Sequence, residues 1–433
     1  MWGALANAFG VGEAPSQPQA LTMQMLASDN LSVRVRPQRE ADYYTCFTSL
    51  NGLDFDSAGV SLTGAFLLEG LSPGDLIYCQ VRATNQIGHS PLSATGVAAV
   101  SSGINEVLLV GADETAHDTA VQCHAKAFVA IGRGVDYACR EAVRTAAIPL
   151  NAYSMVDWPA GQPVARKSLE YDEQLLLISF LENGGRLLIS GADIASQLGT
   201  SFDAFDGYFL KRFLKATYQG AGPATGMLSP EPNSFLADMT PFEYGDSGAV
   251  SYEFSPDILN PYQNSRLLLN YASSVPTRSE GAAVGFLGAF NQSPVVGAVV
   301  FLGFPLEAVA DSLVRIDLLR RLVEFLESTL DVSSEMAIPD NSLMIGSNYP
   351  NPANPATHFP LILPDDKRSS VQLRIYDLQG CLVDEFFPVI DGRYGVAHWN
   401  GLNRQGQEAA SGVYFVEALY SNQRAYRKFM LLR

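Results

Sequence analysis

Four carboxylates stand where acidic side chains could do chemistry in this sequence. Asp113 and Glu114 follow the apolar run 106–110, and Asp193 and Glu307 follow two later runs of the same kind. If these runs are parallel strands, their carboxyl ends meet at the edge where such sheets bind ligands. Carboxylates gathered there could hold a hard cation or polarise a sugar hydroxyl. The alternative, which we favour, is that these acids cap helices and line solvated turns.

Cys123 and His124 are the residue types of a thiol nucleophile and its base. Both lie in a predicted helix, where adjacent residues point to different faces, so we expect His124 to be a hydrogen-bonded core histidine. The segment 132–134 lacks the third glycine of a dinucleotide fingerprint, and no Walker loop occurs. The five cysteines lack CxxC spacing, which argues against structural zinc and a disulfide framework. We therefore expect no cofactor and no metal.

Residues 104–330 must position these side chains, and they alternate apolar strands with helical stretches. The predicted strands span 106–110, 153–158, 186–190, 267–271, 282–287 and 297–303, and the predicted helices span 119–131, 168–181 and 311–327. Continuous apolar runs are typical of parallel strands buried on both faces. The last helix is expected to turn Leu313, Ile316, Leu319, Val323 and Leu326 inward. This alternation predicts a doubly wound α/β domain.

Two flanking segments show the pattern of half-buried strands, in which apolar and polar residues alternate. Residues 31–35 alternate in this way, and so do Val371, Leu373 and Ile375 with their polar neighbours. We therefore predict a multidomain α/β plus β protein with a β-sandwich on each side of the α/β domain. The predicted segments are the end of an upstream segment and a linker (1–17), a sandwich (18–103), the α/β domain (104–330), a linker (331–345) and a second sandwich (346–433).

Residues 18–103 resemble a fibronectin type III domain. The resemblance rests on the corner at 71–78, in which the buried Tyr78 hydroxyl would bond back to the backbone, and on the strands at 79–85 and 88–93. Such modules are mostly spacers or binding surfaces. The resemblance therefore implies a fibronectin type III β-sandwich without catalytic residues of its own.

The α/β segment resembles the degenerate class I glutamine amidotransferase-like domain found beside fibronectin modules in secreted proteins that are labelled peptidoglycan amidases or xanthan-lyase-like. The blocks that carry the resemblance are 121–127, 135–143, 180–193 and 303–307. An amidotransferase needs a thiolate at the elbow after its central strand and a nearby His. The elbow 190–193 contains no Cys, and the block 304–307 contains no His. We therefore expect no glutaminase chemistry.

Residues 346–433 resemble the type A C-terminal sorting domain of proteins exported by type IX secretion, which is related to the flagellar-hook-capping immunoglobulin-like fold. The motifs that carry the resemblance lie at 348–355, 371–380, 399–401, 410–415 and 427–433. The resemblance implies that the type IX secretion machinery is a partner. It also implies that the sorting residues are Arg427, Lys428, Leu431, Leu432 and Arg433.

The composition is that of a folded and acidic protein. Hydrophobic residues make up 47% of the chain and charged residues 17%, and the net charge is −17. An acidic surface without a basic cluster disfavours nucleic acid and anionic lipid as partners. No apolar run reaches the roughly 20 residues that a membrane helix needs. We expect neither nucleic-acid binding nor a transmembrane segment.

The first ten residues contain no Lys or Arg and only a short apolar run, so they do not read as a signal peptide. We therefore expect this chain to be the C-terminal part of a longer secreted or cell-surface protein. The expected function is that of a non-catalytic accessory or binding region of a protein that acts on cell wall or polysaccharide. The alternatives are a hydrolase, either a peptidoglycan amidase or a glycan-active enzyme, that uses the α/β carboxylates, and an adhesin or spacer.

Overall fold

The structure, a computed structural model, describes most of the chain. The described residues are 13–433 except 113–118, 161–166, 246–247, 249, 251, 273–279, 292, 294, 329–342, 347, 349–351, 366–367 and 391–392. Asp113 and Glu114 lie outside them. The chain divides into two compact units, Met1–Gln197 with Lys211–Met336, and Leu198–Leu210 with Ala337–Arg433. The five segments predicted from the sequence stay a prediction.

A β-sandwich opens the described chain. Its strands are β1 (Thr22–Ala27), β2 (Asn30–Arg34), β3 (Tyr43–Ser49), β4 (Asp56–Ser61), β5 (Ala65–Leu68), β6 (Leu76–Thr84) and β7 (Gly96–Ala99). One sheet has the order β4-β3-β6-β7, and β1, β2 and β5 pair in that order in the other. Alternate residues of β3, such as Tyr44 and Cys46, are buried because successive side chains of a strand point to opposite faces. Two antiparallel sheets of this kind define an immunoglobulin-like sandwich.

Tyr78 is buried in this sandwich, but its hydroxyl does not make the expected bond to the backbone among the described contacts. The ring packs against Gly52 instead, where a Cβ would come within 2.9 Å of the tyrosine Cε1. Tyr44 provides a hydroxyl-to-backbone bond, because its oxygen accepts from the amide of Gln38 at 2.5 Å. This contact lies on β3 and not at the corner 71–78, so the expected corner bond is absent among the described contacts.

The middle of the chain combines strands with helices. Its strands are β8 (Val107–Gly111), β9 (Asp136–Cys139), β10 (Met155–Pro159), β11 (Arg186–Ser190), β12 (Ala216–Ala221), β13 (Gly226–Pro230), β14 (Phe242–Tyr244), β15 (Asp257–Pro261), β16 (Arg266–Tyr271), β17 (Glu280–Ala289) and β18 (Val296–Leu302). Its helices are α1 (Thr119–Ala130), α2 (Arg140–Arg144), α3 (Tyr171–Glu182), α4 (Ile194–Gly199), α5 (Ala204–Arg212) and α6 (Ser312–Glu327). Short 3-10 turns lie at Leu150–Ala152 and Leu306–Ala308.

Five strands form a parallel core in the order β9-β8-β10-β11-β18. Numbered along the chain, this order is 2-1-3-4-5, one of the two common orders of doubly wound sheets. The strands are almost fully buried because helices pack on the sheet, α1 with α6 and α2 with α3. β17 then pairs antiparallel with β18 and extends the sheet toward β16, β13 and β14. The carboxyl ends of the parallel strands share one edge.

The sandwich and the parallel core belong to one continuous sheet. β1 pairs antiparallel with β9 through Thr22↔Ala138 and Met23↔Tyr137. Asp136 begins β9 and accepts hydrogen bonds from the Met25 amide at 2.9 Å, the Asn105 side chain at 2.8 Å and the Tyr153 hydroxyl at 2.7 Å. Burial raises the pKa of Asp136 to about 6, although these donors oppose the shift. One buried carboxyl therefore connects three segments at the junction.

The long helix α6 begins at a well-formed cap, in which Asp311 accepts from the Leu313 amide at 2.7 Å. Leu319, Val323 and Leu326 are buried as expected, together with Leu318 and Leu322. Leu313 was expected to point inward but is 74% exposed. At about 100° per residue it lies roughly 120° around the helix from Leu319, outside the buried stripe. No helix among the described residues is long and apolar enough to span a membrane.

A second set of β-strands ends the chain. They are β19 (Met344–Ile345), β20 (Thr357–Ile362), β21 (Ser369–Ser370), β22 (Gln372–Tyr376), β23 (Leu382–Phe386), β24 (Val389–Ile390), β25 (Tyr394–Trp399), β26 (Gly412–Tyr420) and β27 (Gln423–Leu431). The sheets have the orders β23-β22-β26-β27, β19-β20-β25 and β21-β24. Val371, Leu373 and Ile375 are fully buried, as their alternation predicted. Trp399 and Phe429 meet edge to face in the same core, with ring centroids 5.6 Å apart.

Candidate functional site

Of the four predicted acids, the structure describes two. Glu307 is 1% exposed in the 3-10 turn after β18, and its Oε1 accepts from the Tyr252 hydroxyl at 2.7 Å. Asp193 is half-buried in the turn between β11 and α4, with a left-handed backbone at φ 62°. The structure brings Glu307 to His124, since its Oε2 lies 3.8 Å from the imidazole Nε2.

His124 is the centre of a buried polar cluster. Its Nδ1 lies 2.6 Å from Oδ2 of Asp157, and its Nε2 lies 3.5 Å from Oγ of Ser190. His124 and Asp157 are 0% exposed, and Ser190 is 1% exposed. The expectation that His124 is a hydrogen-bonded core residue agrees with this geometry. Cys123, its neighbour in the helix, is only half-buried.

The fold explains why these side chains meet. Helix α1 packs on the sheet beside β10, and Asp157 lies within β10. Ser190 ends β11, where it is the register partner of Pro159, and Glu307 follows β18. Ser190 and Glu307 therefore lie at the carboxyl ends of their strands, the edge where doubly wound sheets bind ligands. Asp157 lies in the middle of β10, where it meets His124 of helix α1. A carboxylate inside an apolar strand is costly unless it is paired, and His124 supplies the partner.

In chemical terms the cluster has the order hydroxyl, imidazole, carboxylate, which is the order of a serine nucleophile, its base and the acid that orients the base. The separation of 3.5 Å between Ser190 Oγ and His124 Nε2 exceeds the reach of about 2.6–3.2 Å that proton transfer requires. Burial of all three side chains also separates the hydroxyl from solvent. In this geometry the cluster is a buried polar network whose hydroxyl lies beyond proton-transfer distance of the imidazole.

A carboxyl that sequence reasoning missed occupies the turn after β11. Asp257, at the start of β15, accepts from the amides of Ala195 at 2.7 Å and Ser196 at 3.1 Å. The favoured interpretation of Asp193 as a helix cap predicts that it accepts the first amides of α4. Asp193 has a left-handed backbone, and its carboxylate accepts from the Ser196 hydroxyl at 3.4 Å instead. Burial raises the pKa of Asp257 to about 7, and the nearby Asp193 contributes to that shift.

Sequence signals for these missed residues exist but are local and easily overlooked. Asp157 interrupts the apolar run 155–158, and Asp257 opens the strand 257–261. An acid inside such a run must find a buried partner. The run itself does not say which distant residue that partner is, so neither pairing could be named.

The described residues offer few groups of side chains that could bind a metal ion. Among the described residues, no group of three or more His, Cys, Asp and Glu side chains could hold a metal ion. A cavity of about 550 Å³ lies in the first sandwich beside the β3–β4 hairpin, and Asp54, Asp56 and Glu69 line it. Neither Asp193 nor Glu307, the two predicted acids that the structure describes, lines this cavity.

The five predicted sorting residues belong to β27 and the two residues after it. Arg427 pairs with Asp203 at 2.5 Å, and Lys428 is exposed. Leu431 is fully buried, whereas Leu432 is 47% exposed. The Arg433 guanidinium donates to the carbonyl oxygens of Ala409 at 2.8 Å and Gly401 at 2.6 Å. β27 is an edge strand, and Ala353 covers its last residues through a parallel bridge to Leu431.

No protein-family model matches the sequence, and no curated protein matches it. Solved structures of fibronectin type III domains are similar to about a fifth of the chain. The crystal structure of FN3tt has 18% identity over 21% of this chain and 99% of its own, with a TM-score of 0.20. The FN5 domain of Drosophila Lar has 24% identity over 20% of this chain and 96% of its own, with a TM-score of 0.18.

A β-1,2-glucanase from Parabacteroides distasonis is also similar, with 16% identity over 21% of this chain and 13% of its own and a TM-score of 0.19. With TM-scores this low, the assignment of the first sandwich rests on its strand pairing. The chain is a mostly β multidomain protein with some helices and an immunoglobulin-like sandwich.

Proposed function

We propose that this chain is the non-catalytic accessory or binding region of an exported protein that acts on cell wall or polysaccharide. The observation that carries the proposal is how the acids at the ligand-binding edge are used. Asp157 pairs with His124, Glu307 accepts from Tyr252, and Asp257 accepts the amides that begin α4. Two carboxylates that face each other across an open cleft would instead favour a glycosidase.

Cysteine placement supports a non-catalytic role. The elbow 190–193 contains no thiol, and Cys123 lies on α1 beside a histidine that is already paired with Asp157. An amidotransferase depends on a thiolate activated by a nearby base. We therefore expect no release of ammonia from glutamine by this chain, and the Cys123→Ala variant should behave as the parent does.

Delivery to the outside is the second part of the proposal and rests on residues 346–433. Their last strand, β27, is an edge strand with exposed Lys428, and exposed Leu432 follows it. Ala353 already bonds to the backbone of Met430 and Leu432, so the part of the edge that remains for pairing with another chain lies before Met430. Basic side chains on such a strand could steer it toward an acidic receptor surface. These features suit docking to the type IX secretion machinery.

A fusion experiment tests the export part. Residues 346–433 are placed behind a signal peptide and a reporter in a bacterium that has type IX secretion. The double variant Lys428→Glu, Leu432→Ser changes two exposed side chains and keeps buried Leu431. We expect the parent fusion to reach the medium and the double variant to stay in the periplasm. Asn422→Glu, an exposed change in the turn before β27 that removes no basic side chain, is the matched control and should be exported.

Equal export of the parent fusion and the double variant would contradict the role of the terminal strand. Failure of the parent fusion would contradict the sorting role of the whole segment. Retention of Asn422→Glu as well would point to a general effect of added negative charge. Circular dichroism of the purified segment shows whether each variant is folded.

A second candidate function is that of a hydrolase, and a specific observation favours it. Ser190, His124 and Asp157 lie in the order of a serine-hydrolase relay at the ligand-binding edge. A fluorophosphonate probe tests this candidate, because it labels only serines whose hydroxyl is activated and accessible. Labelling that is lost in Ser190→Ala would support the hydrolase. Absence of labelling in the folded protein would support the accessory role.

A further inference from the structure

Two histidines face each other on the surface of the second sandwich. His358 on β20 is the direct register partner of His398 on β25. Their ring centroids lie 4.9 Å apart, and the ring planes are inclined by 54°. His398 is exposed and His358 is partly exposed. Neither residue belongs to the buried cluster around His124.

The strand geometry explains why both rings lie on the outer face. Their neighbours along the strands, Thr357 and Phe359 on β20 and Ala397 and Trp399 on β25, are all buried. Since successive side chains point to opposite faces, the two histidines point away from the core. Directly opposite residues of an antiparallel pair have Cβ atoms about 4.5–5.5 Å apart. The two imidazoles therefore lie side by side on paired strands, and neither is carried by a loop.

We propose that His358 and His398 form a binding site for a divalent first-row transition metal, with Cu²⁺ the preferred ion. Each imidazole would supply one ring nitrogen, and water would fill the remaining positions. Imidazole suits copper, nickel and zinc, and Cu²⁺ binds most tightly in the order of these metals. Because no group of three or more ligating side chains occurs among the described residues, binding is expected to be reversible and open to solvent.

Metal binding at this pair would add a cross-link between β20 and β25, which already pair in the sheet. A ligand that binds the folded state and not the unfolded state raises the melting temperature. The two donors are far apart in sequence, so the unfolded chain does not present them together. The inference is independent of the proposed export and accessory roles. A hard cation such as Mg²⁺, which prefers oxygen ligands, should have no such effect.

The test uses the full chain with Cys381→Ser, because the exposed Cys381 thiol would itself react with Cu²⁺. The melting temperature of the smaller compact unit, which contains both histidines, is measured against increasing CuCl₂, NiCl₂ and MgCl₂. Copper should give the larger rise, nickel a smaller rise and magnesium none. Electron paramagnetic resonance of the Cu²⁺ complex should show nitrogen ligation at a stoichiometry of one.

The variant His358→Gln, His398→Gln removes both ring donors from exposed positions and should abolish the rise and the nitrogen signal. His89→Gln is the matched control, since His89 lies in the first sandwich and bonds to Thr84. That control should keep both. No rise with copper in the parent would overturn the proposal. A rise that persists in the double variant would overturn it equally, because the metal would then bind elsewhere.

Discussion

At the scale of single residues, His124 is the common neighbour of two buried acids of the α/β domain, Asp157 and Glu307. It contacts Asp157 and lies near both Ser190 and Glu307, although α1 carries it and three other elements carry its neighbours. The second oxygen of Asp157, Oδ1, is buried without a hydrogen-bond partner among the described residues. Asp157 therefore depends strongly on the one imidazole it has.

His124→Ala should lower the free energy of unfolding by about 3–5 kcal/mol, because it leaves a buried carboxylate without its partner. Ser190→Ala should lower it by only about 0.5–1.5 kcal/mol, since the contact to the imidazole is a single hydrogen bond with a length of 3.5 Å. Urea denaturation of the two variants and the parent measures both effects. Similar losses in the two variants would mean that Asp157 finds another partner.

Asp136 and Asp257 should make the protein more stable in mild acid. Burial raises their pKa values from 3.8 to about 6 and about 7. Between the unfolded and folded values the folded state holds more protons, so the free energy of unfolding falls as the pH rises through this window. From pH 5 to pH 8 the fall should be roughly 1–4 kcal/mol. Urea midpoints at the two pH values measure it.

Asp136→Asn is the matched variant for this pH dependence. The amide is nearly isosteric and keeps an oxygen for the Met25 and Asn105 donors, but it does not titrate. We expect the variant to lose the part of the slope that lies below about pH 6. If the free energy of unfolding of the variant changed with pH as that of the parent does, the pH dependence would come from other groups.

At the scale of elements, the sandwich places Cys46 of β3 and Cys79 of β6 together. Their Sγ atoms lie 3.4 Å apart, and both side chains are fully buried. Oxidised glutathione should convert the two thiols to a disulfide and release two molecules of reduced glutathione. A link between residues 33 positions apart raises the free energy of unfolding by roughly 3–4 kcal/mol in the chain-entropy model. Cys46 is in register with Val81 and Cys79 with Thr48, so the two cysteines are diagonal neighbours, and the strain of linking them should make the measured gain smaller.

Counting thiols in denaturant, with mass spectrometry of the linked peptides, measures the outcome. The experiment uses the Cys381→Ser background, because glutathione would itself modify the exposed Cys381 thiol. In this background the oxidised chain should have two fewer thiols than the reduced one, and the linked peptides should contain Cys46 and Cys79. Adding Cys46→Ala is the control and should neither form this link nor gain stability on oxidation. A Cys381→Ser chain that retains both thiols would show that the buried pair is closed to the oxidant.

Sequence patterns predicted the elements whose signals are local. The strands β8 and β11 and the helix α6 fall within about a residue of their predicted bounds, because apolar runs and caps mark them. The sequence did not predict the strands β13 and β14. Both are short, and each is stabilised by pairing with the other, as Leu228 pairs with Phe242. The buried cluster was not predicted for the same reason, since nothing near His124 in the sequence points to Asp157 or Ser190.

At the scale of the whole molecule, the described chain is organised as two units. The three folded segments predicted from the sequence stay a prediction, and within the larger unit β1 and β9 join the first sandwich to the α/β sheet. The salt bridge from Arg36 to Glu141 at 2.7 Å and the bond from Gln24 to the Tyr153 hydroxyl at 3.0 Å also cross this junction. A shared sheet couples the stability of its parts.

Thermal unfolding followed by calorimetry should therefore show two transitions and not three, because each compact unit unfolds cooperatively. Removal of residues 1–103 should lower the melting temperature of the larger unit, since β9 then becomes an exposed edge. Hydrogen exchange assigns each transition to its residues. A separate transition for residues 18–103, with unchanged melting of the remainder, would contradict this coupling.

The shared sheet also restricts how such a protein can change over evolutionary time. A domain that folds alone can be duplicated, lost or exchanged between genes because few contacts cross its boundaries. Here a replacement for the first sandwich would have to supply both a strand in register with Tyr137 and Ala138 and a backbone amide for Asp136. The sandwich and the α/β domain should therefore be inherited as a pair, and recombination breakpoints should fall before the sandwich or after α6.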